Sequence, residues 1–104
     1  MREKITYNQW KVSGDVFRIN ELQGEFSASV RIRGIAKRPD VFSSNILEFV
    51  CLLTPRVYDE AKRLGMERYR SVTMSGHLES WDRGKGSKVY FIADKIENVG
   101  GFEL

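Results

Sequence analysis

In three stretches of this chain apolar and polar residues alternate one for one, and that period of two admits one local structure. Successive side chains of an extended strand point to opposite faces, so the alternation gives a strand with one buried side. Trp10, Val12, Gly14 and Val16 alternate with Lys11, Ser13 and Asp15. Residues 20–25, with Gly24 among polar neighbours, read as a turn. The alternation resumes with Phe26, Ala28, Val30 and Ile32 on one face and Ser27, Ser29, Arg31 and Arg33 on the other. Gly34 is where a bulge or sharp bend is expected.

Residues 37–44, with Pro39 and paired serines, form a loop, and residues 46–53 form a third strand that is apolar on nearly both faces. The pattern then changes period. Thr54 and Pro55 are a helix-start signal, because threonine caps free N–H groups and proline suits the first helical position. Val57, Tyr58, Ala61 and Leu64 make one apolar stripe over about three turns, and Gly65 closes the helix. Val72, Met74, Gly76 and Leu78 begin a fourth strand that reaches Trp81. Residues 82–87 are a glycine-rich hairpin loop. Residues 88–99 hold a fifth strand with Val89, Phe91 and Ala93 on one face, and Gly100 and Gly101 end the pattern. Five short strands with a single helix between the third and fourth are the layout of the OB-fold, an all-β, five-stranded, partly open barrel.

Composition narrows the function. The chain has 104 residues, one cysteine, one histidine, 17 Lys and Arg, and 14 Asp and Glu. That length fits a single domain, 1–104, with its core at roughly 8–99 and a short N-terminal extension at 1–7. Cys51 can form no internal disulfide and reads as a small core residue. One Cys and one His (His77) cannot build a zinc site. No carboxylate pair or catalytic triad stands out, so no enzyme activity, cofactor or metal is expected. Residues 84–87 lack the full phosphate-loop spacing and lead into a strand, which excludes nucleotide hydrolysis. The charged N-terminus carries no secretory signal, and no apolar stretch is long enough to cross a bilayer. A cytoplasmic protein without membrane contact is the expectation.

Three segments resemble bacterial single-stranded DNA-binding proteins. Residues 8–16 (Asn-Gln-Trp-Lys-Val-Ser-Gly-Asp-Val) look like the family's opening strand. Residues 72–78, followed by Trp81, are similar to its fourth strand, and residues 92–96 to its closing strand. The resemblance implies an OB-fold that binds single strands without strong sequence preference in replication and recombination, as a homo-oligomer, dimer or tetramer. Three features depart from the pattern. About seven residues precede the first strand, Glu79 and Ser80 replace a basic run, and the chain stops at Leu104 without the family's acidic tail. That tail recruits other replication proteins in the family, so a tailless chain fits a compact phage- or plasmid-type version or a primosomal accessory protein.

Binding a single strand without reading its sequence requires cations along the phosphates and aromatic faces for the bases. Arg31, Arg33, Lys37 and Arg38 lie in a segment with no acid, the two arginines on the polar face of the second strand. Arg83, Lys85 and Lys88 add charge at the last hairpin, opposed by Asp82 alone. Trp81 has the parity of a polar face and reads as a stacking platform, or as a loop or subunit contact. Tyr90 faces outward if Phe91 and Ala93 are core. Phe42 is either a clamp beside Lys37 and Arg38 or folded back on the core. Phe49 either stacks bases or packs against another subunit. Trp10, Phe17, Phe26, Tyr58 and Phe91 are assigned mainly to the core. Stacking and phosphate contacts serve RNA as well as DNA. The competing reading is an OB-fold protein-interaction subunit with weak or no nucleic-acid binding. The net charge of only +3 and the acids Asp15 and Glu79 on candidate faces keep it open.

Overall fold

The computed structural model describes residues 8–37, 44–82 and 87–102, and the side chains of 8–34, 47–81 and 88–101. Its elements are β1 (Trp10–Glu21), β2 (Ala28–Lys37), β3 (Ser44–Leu53), α1 (Pro55–Arg63), β4 (Arg70–Asp82) and β5 (Ser87–Phe102). The strands close into a barrel in the order β1-β2-β3-β5-β4. All pairs are antiparallel except β3 with β5, a parallel seam of two residue pairs, Leu52 with Ile92 and Leu53 with Ala93. With one helix between β3 and β4, this is the OB-fold.

The alternation fills the barrel. Val16, Val30, Ile32, Cys51, Leu53, Val72, Met74, Ala93 and Ile96 are buried together inside it. Val57 and Ala61 of α1 join that cluster, so the helix lays its stripe on the barrel. Thr54 caps the helix by accepting the Val57 N–H, Pro55 opens it, and Gly65 follows it at φ 83°, where a side chain would be strained. The helix has nine residues, about two and a half turns at 3.6 residues each.

Several boundaries differ from the sequence reading. β1 runs on through Asn20 to Glu21, which pairs with Ala28, so the turn begins later than expected. Lys37 and Ser44 are the paired ends of β2 and β3 and not loop residues. Gly34 makes no bulge, because β2 and β3 pair without a register shift from Ala28 to Lys37. The bulge lies in β1, where Val16 pairs with Ile32 and Arg18 with Arg31, leaving Phe17 as the extra residue. β5 passes through Gly100 and Gly101 to Phe102 by shifting register against β4 three times. Val89 is 54% exposed, because the hairpin of β4 and β5 extends beyond the barrel's interior, and Leu78 is exposed for the same reason.

Gly76 is where the barrel's closure leaves no room for a side chain. A Cβ there would overlap the Ile92 carbonyl oxygen and the Trp10 ring. Beyond that point Asn8 takes over from the backbone of β1. Its side-chain amide donates to the Leu78 carbonyl at 2.8 Å and accepts the Leu78 N–H at 2.9 Å, imitating one more strand residue. The Trp10 indole N–H donates to the His77 carbonyl at 2.9 Å.

Candidate nucleic-acid interface

Strand register builds an aromatic run on the outer face of the β4 and β5 hairpin. Trp81 pairs with Lys88 and Glu79 with Tyr90, so Trp81 and Tyr90 are diagonal neighbours on one face. Their ring centroids are 4.4 Å apart at 32°. A third ring arrives from the turn between β1 and β2. The Ser27 N–H donates to the Leu53 carbonyl, which pins the end of that turn beside β3. Phe26 then stacks on Trp81 with centroids 5.6 Å apart and planes at 29°. Phe26 is therefore not a core residue. It precedes β2, so the parity of the strand does not extend to it. With Leu22, Gln23, Glu25 and Leu52, the three rings line a groove of about 620 Å³. Lys88 is exposed, with its Nζ 5.4 Å from the centroid of the Tyr90 ring.

The outer face of β2 and β3 continues from this groove. Ser29 pairs with Leu52, Arg31 with Val50 and Arg33 with Glu48. The last pair changes the charge reading. Arg33 Nε donates to Glu48 Oε1 at 2.6 Å, and Arg31 Nη1 lies 3.5 Å from Glu48 Oε2. The segment is acid-free along the chain but not across the sheet. Both guanidinium groups are shared with one carboxylate, and Asp15 lies opposite Arg33 on β1. Phe17 is not in the core either. Its ring lies under the Arg33 guanidinium, 3.3 Å from Cζ to the centroid, on the outer face of the bulge.

Phe49 pairs with Ile32 and so turns to the core side of β3. Its centroid is 4.8 Å from Trp10 and 4.7 Å from Phe91, and the three rings pack at one end of the barrel. That packing separates Phe49 from the groove of Trp81 and Tyr90. Arg38, Phe42, Arg83 and Lys85 lie outside the described residues, and for Lys37 only the backbone is described. Of the sequence candidates, the fold brings together Trp81, Tyr90 and Lys88 in one place and Arg31 and Arg33 in the adjoining one. Phe26 and Leu52 are additions. The signal for Phe26 is its position two residues after Gly24 and ahead of β2, where strand parity does not set the direction of a side chain.

Two titratable groups lie outside the run of rings. Burial pushes the Cys51 thiol up to about 12, which keeps it protonated and unreactive at neutral pH. His77 stands between two carboxylates, with Nδ1 2.7 Å from Asp94 Oδ2 and Nε2 2.6 Å from Glu79 Oε2. The hydrogen bond to Asp94, and then that to Glu79, raises its pKa above the ordinary value of 6.5 against an opposing effect of burial. No helix among the described residues is long and apolar enough to cross a membrane.

No family model matches the chain, and neither does any curated protein. Solved structures do. The small single-stranded DNA binding protein from Mycoplasma pneumoniae superposes with a TM-score of 0.64 at 14% identity, over 89% of this chain and 94% of that one. The Plasmodium falciparum SSB in complex with ssDNA gives 0.63 at 18% identity, over 99% and 100%. The mitochondrial single-stranded DNA binding protein from S. cerevisiae gives 0.63 at 8% identity, over 96% and 100%. At these identities the likeness is one of fold.

Proposed function

We propose that this chain is a single-stranded DNA-binding protein that coats DNA in replication and recombination without strong sequence preference. The stacked run of Phe26, Trp81 and Tyr90 along an open groove carries this reading. Every base has a π-face, so a platform of rings beside cations accepts any sequence. The shared fold supports it, since the three solved structures compared above are single-stranded DNA-binding proteins by name. Arg31, Arg33 and Lys88 are the described cations that would meet phosphates, with Lys37, Arg38, Arg83 and Lys85 extending them and Phe42 as a clamp. Phe49 has a packing role in this reading. The protein acts as a cytoplasmic homo-oligomer, without catalysis, alongside other replication proteins.

Fluorescence titration with poly-dT tests the site. Trp10 is packed against Phe49 and Phe91, so quenching should come from Trp81. Trp81→Phe should abolish most of it. Trp81→Ala should weaken binding by about 1–3 kcal/mol, a rise in Kd of roughly 5- to 140-fold. Unchanged affinity in Trp81→Ala would remove the groove from the interface.

A further inference from the structure

The bulge at Phe17 acts beyond the pairing of β1 with β2. It turns the Val16 carbonyl toward the connection between α1 and β4, where it accepts the Tyr69 N–H at 2.7 Å. Tyr69 meets it with φ at 74°, a costly conformation for an aromatic residue. This tether holds Arg68 beside β1, its Cζ 5.5 Å from the Phe17 ring centroid and 4.6 Å from that of Tyr69. Arg18, next along the bulge, sits directly across from Arg31, a juxtaposition of like charges that costs stability. Phe17, Arg18, Ile19 and Arg68 line a groove of about 460 Å³.

The local charge is uneven. Glu48 is engaged by Arg31 and Arg33, and Glu67 by Arg70. The other acids of β1 are Asp15 and, next to Leu22, Glu21, which accepts the Tyr58 hydroxyl at 3.0 Å. Arg18 donates to the neutral Asn20 side chain at 3.1 Å, and Arg68 lies against two rings. Two exposed guanidinium groups, Arg18 and Arg68, therefore share one groove with the Phe17 ring at a tethered site. The distance also fits one continuous path. Leu22, at the rim of the stacking groove, lies five residues from Phe17 on the same segment, about 16 Å at 3.3 Å per residue.

We propose that this groove is a second phosphate-binding station. A single strand held at Phe26, Trp81 and Tyr90 crosses the outer face of β1 and β2, and its backbone phosphates meet Arg18 and Arg68. The inference rests on the single-strand reading above and extends its footprint. It assigns the arginines to phosphates and not to bases, so the station adds affinity without sequence preference.

The test is the double variant Arg18→Ala, Arg68→Ala, titrated with oligo-dT of increasing length. Lys62→Ala, Arg63→Ala on the exposed face of α1 removes the same charge elsewhere. Circular dichroism checks that both variants fold. Strands too short to leave the stacking groove should bind the double variant and the wild type alike. Longer strands should bind it more weakly, with a log–log salt slope smaller by about 1.4. Wild type should then lose roughly sevenfold more affinity than the variant between about 50 and 200 mM salt. Wild-type binding with no change in the double variant at any length would overturn the station and leave the stacking groove intact. An equal loss in the helix variant would also overturn it, since net charge would then account for the effect. Failure of wild type to bind any strand at low salt would overturn the single-strand reading, and the station with it.

Discussion

Glu48 limits what the outer sheet face can offer a polyanion. Its carboxylate spans Arg31 and Arg33, and it competes for the same N–H donors that phosphate oxygens would use. All three side chains are well exposed, so the ion pairs add at most about 1 kcal/mol to stability. Glu48→Gln should therefore leave the urea midpoint almost unchanged while tightening oligo-dT binding by about three- to tenfold, because two released cations gain phosphate partners. Parallel Kd and urea measurements check this. An unchanged Kd would mean that these arginines do not meet the strand. The parity that put Arg31 and Arg33 outward was legible in the sequence. Their shared acid was not, because Glu48 comes from the next strand and only the register of β2 against β3 brings it opposite.

At the scale of elements, the hairpin of β4 and β5 carries its own pH dependence. His77 on β4 bridges Asp94 on β5 and Glu79 on its own strand, and Ile92 and Arg56 are the neighbours that pair with or reach this stretch. The folded protein holds the His77 proton more tightly than the unfolded chain. Its contribution is fully present below the ordinary pKa of 6.5 and is lost as pH rises through the raised folded value. The side chains are substantially exposed, so the effect stays below about 1 kcal/mol. Thermal melts should show the wild type losing stability between mildly acidic and mildly alkaline pH, with His77→Gln flat over that interval. A His77→Gln profile parallel to the wild type would refute the bridge. Glu97, whose carboxyl is held low by Lys11, titrates below this window and does not confuse the reading.

These elements also divide what local pattern reveals from what it does not. The helix was legible down to its caps, because Thr54, Pro55 and Gly65 act within one turn of themselves. Strand existence was legible from the alternation. The bulge at Phe17 was hidden, because a glycine such as Gly34 is the usual local sign of an irregularity, whereas its actual place depends on pairing between strands. The exposure of Leu78 and Val89 was hidden for a related reason. An inward parity means burial only where the barrel has an interior, and this hairpin outruns it.

For the molecule as a whole, Cys51 is a built-in reporter of opening. It is fully buried on the core side of β3, and its thiol is far from ionised at neutral pH. A thiol reagent should leave the native protein unmodified and label it completely in denaturant. The labelling transition should coincide with that of tryptophan fluorescence if the barrel opens as one unit. Labelling well before the fluorescence change would show that β3 detaches first.

The parallel seam has a mechanical consequence. Among the described residues, two long antiparallel hairpins, β2 with β3 and β4 with β5, share backbone pairing only at Leu52, Leu53, Ile92 and Ala93. Leu52 also forms part of the stacking groove, while Trp81 and Tyr90 belong to the other hairpin. The groove lies at this short joint, while β1 pairs with both β2 and β4 on the other side of the barrel. From Leu52 to Ser44 the arm is about 26 Å long, so a rotation of about 5° at the joint displaces its far end by about 2 Å. A strand bound at the joint would therefore shift the far end of β3 more than the groove that holds it.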